Sequence, residues 1–210
     1  MLRAPADPLP PERFEELLQA SIAPGPLQSP STARLARYLS ELDGWRRRIN
    51  LTGRLTPGDL VGHALESLVP LSLLPDGANL IDIGSGAGFP GVPIAILRPD
   101  LRVTLLEPRA KRAAFLRHLV RVLPLSNATV SESRIENVGG QTFGAAATRA
   151  VGGLGQIVGN TAFLAPGGVL LLWTTSPQVR ARELPALRLG EVLPIPGSDR
   201  KVVAAFHKPA

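Results

Sequence analysis

Short apolar runs alternate with helical patterns through most of the chain. Leu80, Ile81 and Ile83 form a run typical of a strand that is buried on both faces. Similar runs predict further strands, at 103–107, 128–131, 143–148 and 169–173. Helical patterns separate several of them, at 91–97, 109–123 and 154–164. Two last strands, 191–196 and 201–206, predict an antiparallel hairpin. The pattern therefore predicts a doubly wound, Rossmann-like α/β sheet closed by a C-terminal hairpin.

Amphipathic helices precede this sheet. The spacing predicts a short helix at 12–20, a longer one that begins at Ser31 or Thr32 and ends near Asn50, and a third from Pro57 to about Leu74. We expect three parts: an N-terminal extension at 1–30 that is poorly ordered or briefly helical, an added helical lobe at 31–75, and the main α/β domain at 76–210.

A glycine-rich loop follows the first strand, in the stretch Asp82-Ile-Gly-Ser-Gly-Ala-Gly-Phe-Pro-Gly-Val-Pro93. Gly84, Gly86 and Gly88 allow a tight turn and a close approach of a ligand to the backbone. Gly91 and Pro93 then begin a helix. An ordinary tight turn would explain the glycines alone, but strand, turn and helix N-terminus together predict a site for a nucleotide-like ligand.

Two classes of cofactor fit this loop. Residues 86–91 match the G-x-G-x-x-G pattern of dinucleotide sites. Asp82 with the three glycines matches the acidic-x-G-x-G-x-G loop of S-adenosylmethionine-dependent methyltransferases, and its carboxylate would attract a cationic ligand and repel a pyrophosphate. Glu107 follows the second strand, 19 positions after Gly88, where an acid binds the ribose of either cofactor. Asp82 therefore favours the methyl donor.

Length and composition limit the kind of protein that this chain can form. The 210 residues, 44% of them hydrophobic, can bury the core of one domain. The chain has no cysteine, which excludes a disulfide or a thiolate metal site, and we expect no bound metal. It also has no signal peptide and no apolar run long enough to cross a membrane, so we expect a cytoplasmic protein outside the membrane.

The basic residues are concentrated near the glycine loop. The net charge is +6, and the segment from Arg98 to Arg121 holds seven basic residues against two acids. Such a positive field suits nucleic acid. The excess of arginine over lysine is equally explained by genomic base composition. Arg46, Arg47 and Arg48 at the end of a helix could either stabilise that helix end or contact phosphates.

Several motifs together resemble one family. They are Trp45-Arg-Arg-Arg-Ile-Asn-Leu-Thr52, His63-Ala-Leu-Glu-Ser67, the stretch from Asp82 to Pro93, Glu107 with Lys111-Arg112, Ser133-Arg-Ile-Glu136 and Thr148-Arg-Ala150. Over residues 35 to 206 the chain resembles the RsmG family, also called glucose-inhibited division protein B. These are bacterial small-subunit rRNA guanine-N7 methyltransferases with a class I methyltransferase fold.

The resemblance implies transfer of a methyl group from S-adenosylmethionine to N7 of a guanine in the decoding-region loop of 16S rRNA, within the small ribosomal subunit. With the loop residues above, it implies a set of cofactor contacts, at Asp82, Gly84, Gly86, Gly88, Phe89, Glu107, Ile135, Glu136 and Arg149. It also implies a set of substrate contacts, at Arg46, Arg47, Arg48, Asn50, His63, Lys111, Arg112 and Arg149. We expect a monomer.

The chemistry needs no general base. Guanine N7 has an available lone pair at neutral pH, so alignment and desolvation are enough. His63, His118 and His207 form no evident triad. Three alternatives remain at this stage: an NAD-dependent oxidoreductase, a small-molecule methyltransferase and a noncatalytic RNA-binding module for ribosome assembly. The oxidoreductase is distinguished from a methyltransferase by which cofactor raises the melting temperature of the protein on binding. The noncatalytic module would bind RNA without transferring a methyl group.

Overall fold

The computed structural model describes residues 7–21, 29–149, 161–180, 184 and 186–210. The α-helices are α1 (Pro11–Ser21), α2 (Ser29–Trp45), α3 (Pro57–Leu68), α4 (Gly91–Leu97), α5 (Ala110–Val122) and α6 (Ser176–Arg180). Single 3-10 turns lie at Leu71–Leu73 and Ile135–Asn137. The strands are β1 (Asn79–Ile83), β2 (Arg102–Leu106), β3 (Ala128–Ser131), β4 (Phe143–Arg149), β5 (Leu164–Thr175), β6 (Arg188–Pro194) and β7 (Lys201–His207). None of the described helices is long and apolar enough to cross a membrane.

The described strands form a mixed seven-stranded sheet in the order β3-β2-β1-β4-β5-β7-β6. The first five strands in this order, from β3 to β5, are parallel to one another, whereas β7 is antiparallel to both β5 and β6. The predicted α/β sheet with a C-terminal antiparallel hairpin is confirmed. Because the strand order reverses between β1 and β4, the carboxyl ends of these strands border the crevice where such sheets bind ligands.

Both faces of the sheet are buried, because successive side chains enter two different apolar clusters. Leu80 belongs to the cluster that includes side chains from α1 to α5, and Ile81 to the cluster on the opposite face, which includes Val179 of α6. In β4, Ala145 and Ala146 divide between the clusters in the same way. Burial on both faces explains why these strands are continuous apolar runs in the sequence.

The N-terminal helices share a core with one face of the sheet. Phe14 and Leu18 of α1 and Leu39 of α2 are completely buried in the same cluster as Leu80. This packing covers β1 beneath the glycine loop. The division into a lobe at 31–75 and a domain at 76–210 stays a prediction. The proposed extension at 1–30 falls partly outside the described residues, which include α1 within it.

Two N-terminal helices end earlier than the sequence predicts. The prediction that α2 extends to about Asn50 is wrong, since α2 ends at Trp45 and a turn follows in which Arg48 N donates to the Trp45 carbonyl at 2.9 Å. The helix α3 ends at Leu68 rather than near Leu74. Pro70 lacks an amide hydrogen, so it cannot donate the backbone hydrogen bond that would continue the helix.

The predicted helix at 154–164 lies mostly outside the described residues. Its last part is wrong, because 161–163 are not helical and Leu164 begins β5. Within this long strand Gly167 has a φ of 72°, and the register against β4 shifts between Phe143 and Ala145.

A buried carboxylate organises the end of α2. Asp43 is fully buried and accepts hydrogen bonds from Leu9 N at 3.0 Å, Arg46 Nε at 2.8 Å and Arg47 Nη2 at 2.7 Å. Arg46 also donates to the Leu55 carbonyl. Burial alone would raise the pKa of Asp43, but the hydrogen bonds from Arg47, Leu9 and Arg46 outweigh it and leave the pKa below its ordinary value.

We expect Asp43→Asn to lower the free energy of unfolding by about 2–4 kcal/mol, because the amide cannot serve two arginines and a backbone amide at once. The loss should be full at neutral pH and should shrink as the pH falls from about 4, the ordinary pKa of aspartate in the unfolded chain, through the lower pKa of the folded wild-type carboxylate. Denaturant unfolding at several pH values measures both effects. Asp76→Asn is the control, since its side chain pairs with Arg98 while fully exposed and should leave stability unchanged. Equal effects of the two variants would contradict this role for Asp43.

Candidate functional site

The glycine loop connects β1 to α4 at the carboxyl edge of the sheet. Gly84 N and Ser85 N donate to the Leu106 carbonyl at 2.8 and 3.0 Å, which ties the loop to the end of β2. Gly84, Gly86 and Gly88 have φ values of 76°, 53° and 103°, a region that other residues rarely occupy. These φ values confirm the predicted tight turn, and the close approach of a ligand to this backbone stays a prediction.

Asp82 supports the loop from below. Its side chain is fully buried, and Oδ2 accepts a hydrogen bond from Gly91 N at 3.1 Å, at the start of α4. A Cβ atom at Gly91 would lie 2.5 Å from Asp82 Oδ2, so only glycine fits there. Burial raises the pKa of Asp82 to about 7. The other oxygen, Oδ1, is buried and has no hydrogen-bond partner among the described residues. A direct contact between Asp82 and a cofactor stays a prediction.

Glu107 fixes the opposite side of the loop. Its Oε2 accepts from Gly86 N at 3.0 Å and its Oε1 from Arg109 N at 2.9 Å, and the residue is 3% exposed. Each carboxylate oxygen can accept a further hydrogen bond. A carboxylate at the end of β2, beside a loop without side chains, fits the ribose diol of an adenosine cofactor.

Tyr38 is a support of the loop that sequence reasoning missed. From α2, its completely buried hydroxyl donates to the Ala87 carbonyl at 3.0 Å. Its ring packs edge-on against Phe89, with 5.4 Å between the centroids. The helical spacing of α2 indicates that Tyr38 is buried, but nothing local in the sequence shows that it contacts a loop 49 positions later.

Arg149 and His63 lie together, although they are 86 positions apart. Arg149 ends β4, and its guanidinium donates to the carbonyl and to Nδ1 of His63, at 3.3 and 2.6 Å. It also pairs with Glu66. Lys201, at the start of β7, donates to Glu66 Oε1 at 2.8 Å. Sequence reasoning did not assign Glu66 or Lys201 to the site. The helical spacing of His63 and Glu66 places them on one face, but only the sheet topology brings Lys201 there.

Ile135 and Glu136 lie in the 3-10 turn after β3. Together with Phe163 they line a cavity of about 270 Å³ beside the sheet. Glu136 is exposed and Ile135 is half-buried. The described structure thus leaves both available at a cavity, and their contact with adenine stays a prediction.

Six of the predicted substrate residues line two adjoining basic grooves, whereas His63 and Arg149 lie outside both. One groove, of about 530 Å³, is lined by Arg46, Arg47, Asn50, Thr52, Gly53 and Arg54. The other, of about 520 Å³, is lined by Arg48, Ile49, Asn50, Arg109, Ala110, Lys111 and Arg112. Asn50 borders both grooves, and its carbonyl accepts from Arg112 Nη2 at 3.1 Å. Arg54 and Arg109 are additions that sequence reasoning did not assign.

The three predicted arginines after α2 are not equivalent. Arg46 and Arg47 are held on Asp43, whereas Arg48 is exposed and makes no side-chain hydrogen bond or ion pair with another described residue. Of the three, Arg48 therefore has the greatest freedom to meet a phosphate.

Comparison with known proteins identifies the family. The model of the family described as "GidB: rRNA small subunit methyltransferase G" matches residues 31–183. A Ribosomal RNA small subunit methyltransferase G from Roseiflexus castenholzii is 38% identical over 219 residues, which cover 94% of this chain and 92% of the relative. One from Desulfotalea psychrophila is 46% identical over 127 residues, 59% of this chain and 58% of the relative. The second match thus spans little more than half of either protein.

Solved structures agree on the fold. A methyltransferase from Pyrococcus furiosus superposes with a TM-score of 0.57 at 18% identity, covering 84% of this chain and 98% of that one. The [4+2]-cyclase SpnF gives a TM-score of 0.58 at 12% identity, covering 76% and 84%. The second example shows that this fold alone does not determine the reaction. The predicted methyltransferase fold is confirmed by the sheet and by the solved structures that it resembles. The predicted family and class of enzyme are confirmed by the family match: the chain belongs to the family of rRNA small subunit methyltransferase G.

Proposed function

We propose that this protein transfers a methyl group from S-adenosylmethionine to N7 of a guanine in the decoding-region loop of 16S rRNA. The observation that supports this most is the position of the glycine loop. It lies where the strand order reverses, between the Glu107 carboxylate and Arg149, and the basic grooves adjoin it through Arg112. A nucleoside cofactor and a polyanionic substrate can therefore meet at one edge of the sheet.

The loop and its two carboxylates are the proposed cofactor site. Gly84, Gly86 and Gly88 let the aminoacyl part approach the backbone closely, and Glu107 accepts hydrogen bonds from the ribose hydroxyls. Asp82 lies beneath the loop and complements the positive charge of the ligand. The orphaned Oδ1 of Asp82 fits this assignment, because an ionised carboxylate in that position needs a positive neighbour.

The reaction itself requires alignment rather than proton transfer. The bound cofactor supplies an electrophilic methyl group on a positively charged sulfur. The N7 lone pair forms the new bond as the carbon–sulfur bond breaks, so the positive charge moves to the purine and no proton is exchanged. The protein's task is to hold the purine edge in line with the methyl group and to exclude water.

The basic grooves are the proposed RNA surface. Arg48, Lys111 and Arg112 line one groove and hold phosphates, which fixes the orientation of the RNA without selecting its sequence. Arg46 and Asn50 shape the neighbouring groove. We place the reaction in the cytoplasm, on small subunits or their precursors, and propose that the protein acts as a monomer.

The direct test is methyl incorporation. Small subunits from a strain that lacks this methyltransferase are incubated with the protein and labelled S-adenosylmethionine, and the modified base is mapped. We expect one labelled N7-methylguanine in the decoding-region loop. Label in another nucleotide would contradict the assigned position, and a complete absence of label would contradict the proposed reaction.

Glu107→Gln should weaken the binding of S-adenosylmethionine at least about tenfold, because the amide nitrogen cannot accept from a ribose hydroxyl. Titration calorimetry with S-adenosylhomocysteine measures the loss without turnover. Glu191→Gln, on the exposed strand β6, is the control and should bind as the wild type does. If the Glu107 variant keeps its melting temperature and its affinity, Glu107 is not the ribose ligand.

Arg48→Gln combined with Lys111→Gln should weaken RNA binding and flatten its salt dependence. Each phosphate-binding charge that is removed should reduce the slope of log K against log salt by about 0.7 to 0.9. Filter binding from about 50 to 300 mM salt measures the slope. Arg102→Gln is the control, because Arg102 begins β2 at the opposite edge of the sheet and donates to Asn79. An unchanged slope in the double variant would remove both residues from the RNA surface.

A further inference from the structure

A charged cluster lies beside the Phe89 end of the glycine loop. It consists of His63 and Glu66 on α3, Arg149 at the end of β4 and Lys201 at the start of β7, and we call it the Glu66 cluster. The ring of His63 packs edge-on against Phe89, with 5.8 Å between the centroids. Three separate elements therefore deliver polar side chains to the point where the loop meets the crevice.

Glu66 is the centre of this cluster. Its side chain is only 13% exposed, and its carboxylate pairs with Arg149 through Oε2 and with Lys201 through Oε1. Trp173 Nε1 donates to the Glu66 carbonyl at 2.9 Å and fixes this part of α3 against β5. Burial alone would raise the pKa of Glu66, but contacts with its basic neighbours outweigh burial and lower the pKa to about 2. Glu66 is therefore a fixed anion that holds two cations.

The hydrogen-bonding capacity that remains on the basic side chains of the cluster consists of donors, since arginine and lysine only donate. His63 Nδ1 is already engaged within the cluster, because it lies 2.6 Å from Arg149 Nη2 and 3.2 Å from Glu66 Oε2. Lys201 is 48% exposed on its side chain and uses one of its three N–H groups on Glu66. The carboxylate, which is the cluster's acceptor, is already occupied by its neighbours.

A set of donors of this kind distinguishes the two purines. Guanine presents two acceptors, O6 and N7, on one edge, whereas adenine replaces O6 by an amino group that can only donate there. The N7 lone pair has to stay free in order to attack the methyl group. The donors must therefore act on O6, next to the reacting nitrogen.

We propose that the Glu66 cluster selects guanine by donating a hydrogen bond from Lys201 to O6. Glu66 is a positioning residue, which holds the Lys201 ammonium and the Arg149 guanidinium at this edge. The proposal rests on the proposed function, because it assigns the recognition of the purine to that same site. It adds two residues, Glu66 and Lys201, that do not belong to the cofactor loop or the phosphate grooves.

The test uses small subunits reconstituted with 16S rRNA that carries guanine, inosine or 2,6-diaminopurine at the target position. Inosine keeps O6 and N7 but lacks the 2-amino group, and 2,6-diaminopurine keeps the 2-amino group but has an amino group in place of O6. Wild-type protein should methylate guanine and inosine at similar kcat/KM, and diaminopurine at least about tenfold more slowly. Equal rates on guanine and diaminopurine would overturn the proposal.

Two pairs of variants separate recognition from folding. Lys201→Met should bring the guanine to diaminopurine ratio close to one while leaving the affinity for S-adenosylhomocysteine unchanged, and Lys201→Arg should restore the ratio. Glu66→Gln should lower kcat on guanine with little change in the KM for RNA, and Glu66→Asp should recover part of it. Arg200→Met is the matched control, because it removes a positive charge one position away on an exposed residue and should keep the ratio.

The outcomes distinguish this proposal from the proposed function. If labelled methyl enters guanine but Lys201→Met keeps the wild-type ratio, the assignment of O6 recognition is wrong and the proposed reaction stands. If no substrate is labelled by the wild type, both are wrong. Should Glu66→Gln fail to fold, the ratios for the Lys201 variants still decide the question.

Discussion

The hydrogen bond between the Asp82 carboxylate and Gly91 N is the constraint on which the site depends. It joins the end of β1 to the start of α4 and fixes the distance that the glycine loop has to span. A side chain at Gly91 would collide with this carboxylate, so the glycine and the acid require each other. Glu107 and Tyr38 then hold the loop from the β2 side and from α2. The loop is thus shaped before any ligand arrives, which reduces the entropic cost of binding.

Three carboxylates serve different purposes at one edge of the sheet. Asp82 is buried without a cationic partner among the described residues, and burial raises its pKa to about 7. Glu107 is held by backbone amides at the side of the loop. Glu66 is surrounded by cations, and its pKa is lowered to about 2. Their environments thus differ: Asp82 is the group that can respond to a positive ligand, Glu107 is the proposed acceptor for ribose hydroxyls, and Glu66 holds basic side chains.

Local patterns in the sequence predict most of the sheet, because strands buried on both faces are continuous apolar runs. The glycine loop and Glu107 are also predicted, since their spacing along the chain reflects one supersecondary unit. Less predictable are contacts that depend on topology. Lys201 reaches Glu66 only because β7 inserts between β5 and β6, and Tyr38 reaches Ala87 because α2 packs across the loop. The end of α2 is mispredicted because Ile49 keeps the helical spacing of Leu42 and Trp45 beyond the residue at which the helix ends.

The arginines after α2 show the same limit. A run of basic residues in a sequence indicates a phosphate surface, but the buried Asp43 carboxylate, three or four positions earlier, engages two of them. An arginine that pairs with a buried carboxylate in this way is less available to bind a phosphate. Within the proposed RNA surface we therefore expect larger contributions from Arg48, Lys111 and Arg112, which line one groove.

The central claim is that a buried carboxylate beneath a glycine loop holds a positively charged methyl donor, and calorimetric titration from about pH 6 to pH 8 tests it most directly. Asp82 is largely protonated below pH 7, and a cation binds its ionised form more tightly. We expect both S-adenosylmethionine and S-adenosylhomocysteine to bind. As the pH rises through about 7, the wild type should come to favour S-adenosylmethionine over S-adenosylhomocysteine more strongly, whereas the affinity ratio of Asp82→Asn should not change. Absence of binding by both ligands would contradict the central claim.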